Sequence, residues 1–222
     1  MSSPIQYHTV QPDNNSPNGF TEFNTLDFTL LADGRKMMKN SVRINFVVNC
    51  KDFNGDTVTT EEISLDNSIG ALGFFESFQT EIQSKGIIEN LQDSARFHAA
   101  HAHTSLNKDD LYSAKYQCEG RQPLQTSPSP TLQKTASKGA NATQDAYNTL
   151  PSYSVKPLIA LNRMAGDNYS FSKNGYIKVS CNLARLAHCL FGPELTALQS
   201  YVITDVNLTF STVPDDGKQG AV

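Results

Sequence analysis

Between Ser41 and Asp52 every second residue is apolar. Val42, Ile44, Phe46, Val48 and Cys50 fall to one side, while Arg43, Asn45 and Asn49 fall to the other. A period of two is the pattern of a strand with one face in a core and one in water. Asn54-Gly55-Asp56 follows, a pair-and-acid turn that takes positive φ at little cost. The chain is therefore expected to return as a strand over residues 58–66. The same alternation recurs over 25–31, with Leu26, Phe28 and Leu30 on one face. It recurs again in the long final stretch 200–213, with Val202, Val206, Leu208 and Phe210 on one face.

Four further stretches, 74–83, 155–161, 169–172 and 176–183, read as strands, with Ser172 to Gly175 as the hairpin turn between the last two. Eight strands without a strand–helix–strand period predict an all-β fold, an eight-stranded jelly-roll β-sandwich. Two helices interrupt it. Ile88, Leu91 and Ala95 fall at helical spacing from Ile87 onward, with Glu89 in the first turn. Asn107 caps a second helix whose face carries Leu111, Ala114 and Cys118 and which stops at Gly120. Residues 184–191 add a short apolar helical turn stopped by Gly192-Pro193.

A long polar loop, 122–153, is inserted between the fourth and fifth strands, rich in Pro, Ser, Thr and Gln. A stretch of that length without a period is costly to order, so it is expected to be mobile in the free chain and ordered where a neighbour covers it. The domain plan is an N-terminal arm (1–24), one jelly-roll domain (25–213) and a C-terminal tail (214–222). A chain of 222 residues can bury a core without disulfide staples.

The segment from Ile63 to Arg96 carries a resemblance. Its pattern is a strand, then Asp66-Asn67, then Ile69-Gly70-x-x-x-Phe74-Phe75-x-Ser77. A strand follows, then Ser84-x-Gly86-x-Ile88-Glu89-Asn90-Leu91 and Arg96. With Pro157 to Asn162, Lys173 to Lys178 and Tyr201 to Phe210, it resembles the jelly-roll capsid proteins of the double-jelly-roll lineage of icosahedral DNA viruses. The resemblance covers roughly residues 25–213. It implies a structural protein of the virion, made in the host cytoplasm, whose partners are copies of itself, as pentamer or trimer in ring-like capsomers, and other capsid subunits. It places assembly contacts at Ile69, Phe74, Phe75, Ile87, Glu89 and Arg96. Major capsid proteins of that lineage carry two rolls and this length holds one, which points to a vertex (penton-like) or minor capsid protein.

Little in the sequence speaks for chemistry. The net charge is −4 and the basic residues are scattered, against direct nucleic-acid binding. No apolar run is long enough to cross a bilayer, and the first residues lack the regions of a signal peptide. Cys50, Cys118, Cys181 and Cys189 form no CxxC pair and read as small, partly buried thiols. His98, His101 and His103 form the one metal-like cluster. Their plainer reading is polar residues at a helix end, whose replacement by Gln should leave stability unchanged. The acidic pairs Glu61-Glu62, Asp109-Asp110 and Asp215-Asp216 diverge along the backbone and read as solvated charge. With no Gly-x-Ser-x-Gly and no phosphate loop, no enzyme and no cofactor are expected. The alternative function is a carbohydrate- or ligand-binding β-sandwich, weakened by the absence of Trp and kept open by eight Tyr. A cupin-type enzyme ranks third, because the histidines lie in the predicted helical segment.

Overall fold

The two most clearly alternating stretches of the sequence pair with each other. In the computed structural model, which describes residues 4–14, 16–57, 65–66, 68–105, 118–120, 152–163, 168–191 and 198–215, β4 (Arg43–Asp52) runs antiparallel to β10 (Leu198–Pro214). Val42, Ile44, Phe46, Val48 and Cys50 are all buried, as the alternation requires. In β10 the inward face differs from the one predicted. Tyr201 and Ile203 are buried on one side of Asp205, and Val206, Leu208 and Phe210 on the other, whereas Val202 is half-buried and out of phase with the core. A bulge causes this. Asp205 sits at φ 51°, and two residues of β10 stand opposite Phe46 between the pairs Thr204↔Val47 and Asn207↔Asn45. One extra residue switches which parity faces inward.

Around this pair the sheets assemble. β3 (Arg35–Met37) lies in line with β4 on the same edge of β10, and β1 (Gln6–Val10) pairs with β10 over Leu208 to Thr212. β7 (Ser152–Val155) pairs with β4 and β8 (Tyr169–Ser170) with β3. The second sheet runs in the order β2 (Thr25–Leu30), β9 (Ile177–Leu183), β5 (Phe75–Ile82), β6 (Gly86–Leu91). Counting β3–β4 and β7–β8 as single interrupted strands leaves eight. One sheet then holds the first, eighth, third and sixth, and the other the second, seventh, fourth and fifth. This is the two-Greek-key connectivity of a jelly roll.

The fold class is the predicted one, but its strands are not all the predicted ones. The stretch read as an arm supplies β1. The stretch read as a helix from Ile87 supplies β6. Ser84 and Lys85 turn the chain, Gly86 takes φ 76°, and two successive β-branched isoleucines continue as a ladder with β5. The helix, α1 (Ser94–Ser105), starts after Asp93 at φ 50°, where the Ser94 hydroxyl donates to the Phe75 carbonyl. The predicted strand over 155–161 begins earlier, at Ser152, and passes into α2 (Ala160–Arg163). Ser172 to Gly175 is not a hairpin. It lies in α3 (Phe171–Asn174) and its C-terminal cap, and joins β8 in one sheet to β9 in the other. The helical turn before Gly192 is α4 (Leu186–Cys189). The strand expected over 58–66, apart from Leu65 and Asp66, the second helix up to residue 117 and the loop up to 151 lie outside the described residues.

The core fills the space between the sheets with Phe28, Phe46, Phe74, Phe75, Phe78, Tyr201 and Phe210 among aliphatic residues. Phe46 meets Phe74 and Phe75 edge-on, with centroids 6.0 and 5.5 Å away. The turn at Asp66 forms as its composition suggests, its carboxylate accepting from the amides of Ser68 (2.8 Å) and Ile69 (3.0 Å). Gly19 is needed for a close approach. At φ 81°, a Cβ there would stand 2.6 Å from Val202 Cγ1, so only glycine lets this segment lie on β10, where Phe20 bridges to Ile203.

Candidate assembly surfaces

An antiparallel sandwich turns at alternate ends, and here the two ends differ. Residues 31–34, 83–85 and 171–176 turn at one end. The connections over 11–24, 53–74, 92–151 and 184–197 leave and re-enter the sheets at the other. The strands joined by the four longer connections thus meet them at the same end of the roll.

The two flanks also differ. On the first, beside β1 and β2, the outer edge of β2 is closed by its own chain. The Asp13 amide donates to the Asp27 carbonyl (2.7 Å), and Asn14 bonds both the Asp27 amide and the Thr25 carbonyl. Asp13 also accepts from the Thr29 hydroxyl at 2.6 Å. β1 has no such cover. Its Gln6–Val10 backbone bonds only along the ladder with β10 among the described residues, and Ile5 and Tyr7 stand 48% and 82% exposed. The strand is fastened from inside by the His8 ring stacked on Phe210 at 4.9 Å and bonded to the Thr212 hydroxyl at 2.8 Å. Arg35 donates to that hydroxyl and to the Pro4 carbonyl. Burial, then the nearby Arg35 charge, lower the pKa of His8 below its ordinary value.

On the second flank the Glu89 carboxylate accepts from the Ala160 amide at 2.5 Å and pairs with Arg163, so β6 holds α2 by a side chain rather than by its backbone. The outer edge of Gly86–Leu91 has no backbone partner among the described residues. Ile87 and Ile88 are exposed there, at a bulge in the β5–β6 ladder. Phe97 of α1 stands partly exposed beneath the Arg163 guanidinium, 5.4 Å from the ring centre.

Of the six residues expected at assembly contacts, Phe74 and Phe75 are fully buried, and their rings belong to the subunit's own core. Ile69 packs partly buried against that core. Glu89 is mostly covered by its bonds to α2, whereas Ile87 and Arg96 are exposed. The two phenylalanines were misplaced because an aromatic pair beside glycines looks the same whether the bend faces a core or a neighbour. Ile5, Tyr7, Ile88 and Phe97 are exposed apolar side chains outside that set of six.

The three histidines separate. His98 is fully buried, its Nε2 accepting from the Leu158 amide at 2.9 Å. Nδ1 therefore carries the proton and donates to the Ser94 carbonyl at 2.6 Å. His101 is half-buried and His103 exposed. Among the described residues no group of three His, Cys, Asp or Glu side chains gathers to hold a metal. His98 pins α1 to the segment before α2, which corrects the expectation that all three are replaceable at no cost. His98→Phe, which keeps a ring but leaves the Leu158 amide unpaired, should lower unfolding free energy by about 1–3 kcal/mol. His101→Gln and His103→Gln should change it by less than about 0.5 kcal/mol. Equal effects at all three sites in a urea titration would contradict this assignment.

Asp215 is held by Lys36 (3.4 Å) and by the Ser170 hydroxyl; the other acidic-pair residues lie outside the described residues. Cys50, Cys181 and Cys189 are buried and Cys118 is exposed; burial pushes the Cys50 thiol up to about 12. An open depression of about 300 Å³ on the outer face of the first sheet presents Asn45, Ser152, Ser154 and Asp205. The Phe46 ring beneath it is buried.

No protein-family model and no curated protein matches the sequence. Solved structures do match. PBCV-1 VP54, fitted into a cryo-EM reconstruction of the virophage Sputnik, superposes with a TM-score of 0.55 at 11% identity, over 98% of this chain and 44% of that one. The Sputnik virophage structure gives 0.51 at 10% identity, over 98% and 49%. The Faustovirus major capsid protein gives 0.52 at 9%, over 97% and 55%. The chain has the fold of a capsid jelly roll. At these identities the likeness is one of fold, and the chain spans about half the length of the double-jelly-roll proteins it matches. The capsid-like roll has no helix, among the described residues, long and apolar enough to cross a membrane.

Proposed function

We propose that this chain is a structural subunit of an icosahedral virus capsid, acting by self-association into ring-like capsomers of five- or three-fold symmetry alongside other capsid subunits. The observation that carries the reading is the superposition of nearly the whole chain on half of capsid proteins from distinct viruses. The jelly roll supplies a compact block of two sheets, with exposed apolar side chains at β1 and β6 among the described residues to meet a neighbour. Catalysis plays no part in this role, and the fold is typically that of non-enzymatic shell proteins. A penton-like or minor-capsid place in the virion is the form of the proposal that suits one roll.

Light scattering or native mass measurement on the purified chain tests it. The expected result is a discrete assembly of three or five 24.4 kDa subunits, or a larger shell built from them, seen as rings by negative-stain microscopy. A monomer at every concentration and salt condition, without other capsid subunits and with them, would sink the reading.

A further inference from the structure

The nine large apolar side chains that stand exposed among the described residues are not scattered evenly. Ile5 and Tyr7 lie at β1 and Ile87, Ile88 and Phe97 at β6 and α1, whereas Phe23, Leu31, Phe53 and Phe191 lie in connections between strands. The two flanks are opposite sides of one sandwich, since β1 and β2 begin their sheets and β6 and β7–β8 end them. Each flank also carries one strand edge whose backbone groups find no partner among the described residues, β1 on the first and β6 on the second. The neighbouring edge, that of β2, shows how this chain treats an edge it does not offer. Asp13 and Asn14 fold over it and take up its amide and carbonyl groups. Such blocking is how proteins keep edges from pairing with other chains, and an edge left open can pair with another strand.

We infer that copies of this chain join head to tail, the β1 edge of one meeting the β6 edge of the next, with Tyr7 and Ile5 packed on Ile87 and Ile88. A second copy is the occupant that the structure itself supplies. Every copy brings one open edge of each kind, a strand edge is the chemical complement of a strand edge, and both are faced with apolar side chains. Because the two patches are different and lie on opposite flanks, the contact is heterologous and forms a ring where its rotation closes. The inference rests on the capsid reading and gives it particular surfaces. It moves the contact from the buried Phe74 and Phe75 to residues that have surface to offer.

Two variants test it, Ile5→Lys with Tyr7→Lys and Ile87→Lys with Ile88→Lys, each compared with the unaltered chain by native mass spectrometry and by thermal melting. All four positions are exposed, so each variant should keep a cooperative melt, at the temperature the unaltered chain shows when diluted below its assembly range. The expected result is that each variant alone is monomeric, while an equimolar mixture gives dimers and no rings. The first variant keeps an intact β6 edge and the second an intact β1 edge, so one junction can form and none can follow. If a lysine pair prevents folding, the milder Tyr7→Ser and Ile88→Thr should raise the concentration needed for half-assembly about tenfold. Variants that assemble like the unaltered chain, a variant that dimerises by itself, or a mixture that stays monomeric would overturn head-to-tail pairing and leave the capsid reading standing. An unaltered chain that never assembles would remove both.

Discussion

Phe46→Ala should destabilise the folded chain by about 3–5 kcal/mol, the cost of emptying a buried aromatic site. The ring is 2% exposed. It stands where the two sheets face each other, between Phe74, Phe75 and the Tyr153 ring 5.9 Å away. It is also the residue opposite the β10 bulge, so the neighbours that would have to close the gap are fixed by backbone geometry on one side and by rigid rings on the other. That leaves little room for collapse, and the upper part of the range is expected. Equilibrium unfolding in urea, with the slope of the transition checked for constancy, reads the change directly. A loss below 1 kcal/mol would mean that the central strand does not face the core. The alternation at Ser41 to Asp52 would then have been misread from the start.

That alternation was legible because β4 is regular, antiparallel and buried on one face only. The same conditions made β2 and β9 legible, and β5 kept an apolar signal despite a bulge between Phe75 and Ser77. β6 was not, because an edge strand need not bury one parity. Ile87 and Ile88 are both exposed, and without a polar–apolar alternation the spacing of Ile88, Leu91 and Ala95 imitates a helix. β1 failed for a related reason. None of its residues is fully buried, so its place in the sheet depends on ladder bonds to β10 and on the His8–Phe210 stack, neither of which leaves a period in the sequence. In β10 the strand was plain but its phase was not. Asp205 reads as one more outward polar residue, and only its positive φ makes it the bulge that moves Tyr201 and Ile203 inward in place of Val202.

The candidate surfaces follow the same division. Sequence placed contacts where apolar residues cluster, at Ile69 to Phe75, and the fold assigns that cluster to the core. Of the exposed apolar side chains, Tyr7, Ile87 and Ile88 lie on β1 and β6, the two strands the sequence did not reveal. An edge strand has a sheet neighbour on one side only, so its sequence is held to a burial pattern less strictly than that of a central strand.

Asn162→Leu should cost about 2–5 kcal/mol, although it replaces a polar side chain with an apolar one of similar size in a buried position. β3 and β4 are one strand interrupted at residues 38–42, and β7 and β8 are interrupted alongside it by α2. Across that gap one long backbone bond runs from the Asn40 amide to the Leu161 carbonyl at 3.4 Å, and Val42 is left to a side chain. The Asn162 carboxamide supplies it. Its oxygen accepts from the Val42 amide at 3.1 Å, and its nitrogen donates to the carbonyls of Val42 (3.0 Å) and Pro157 (2.7 Å). A side-chain amide thus does for Val42 what a facing strand would do, donating and accepting at the same residue. Leucine removes all three bonds and leaves the buried Val42 amide and carbonyl unpaired, each at about 1–3 kcal/mol. Asn168 gives the contrast. It caps the exposed Lys39 amide by the same chemistry at 3.3 Å, and Asn168→Ala should cost under about 1 kcal/mol because water replaces the bond. Hydrogen exchange at Val42 provides a local reading. Its amide should be among the slow ones in the native chain and should lose that protection in Asn162→Leu, while the amides of β4 beyond Ile44 keep theirs. Unchanged exchange at Val42 would show that another group bridges the interruption, and that the two half-strands are not held in line by this residue.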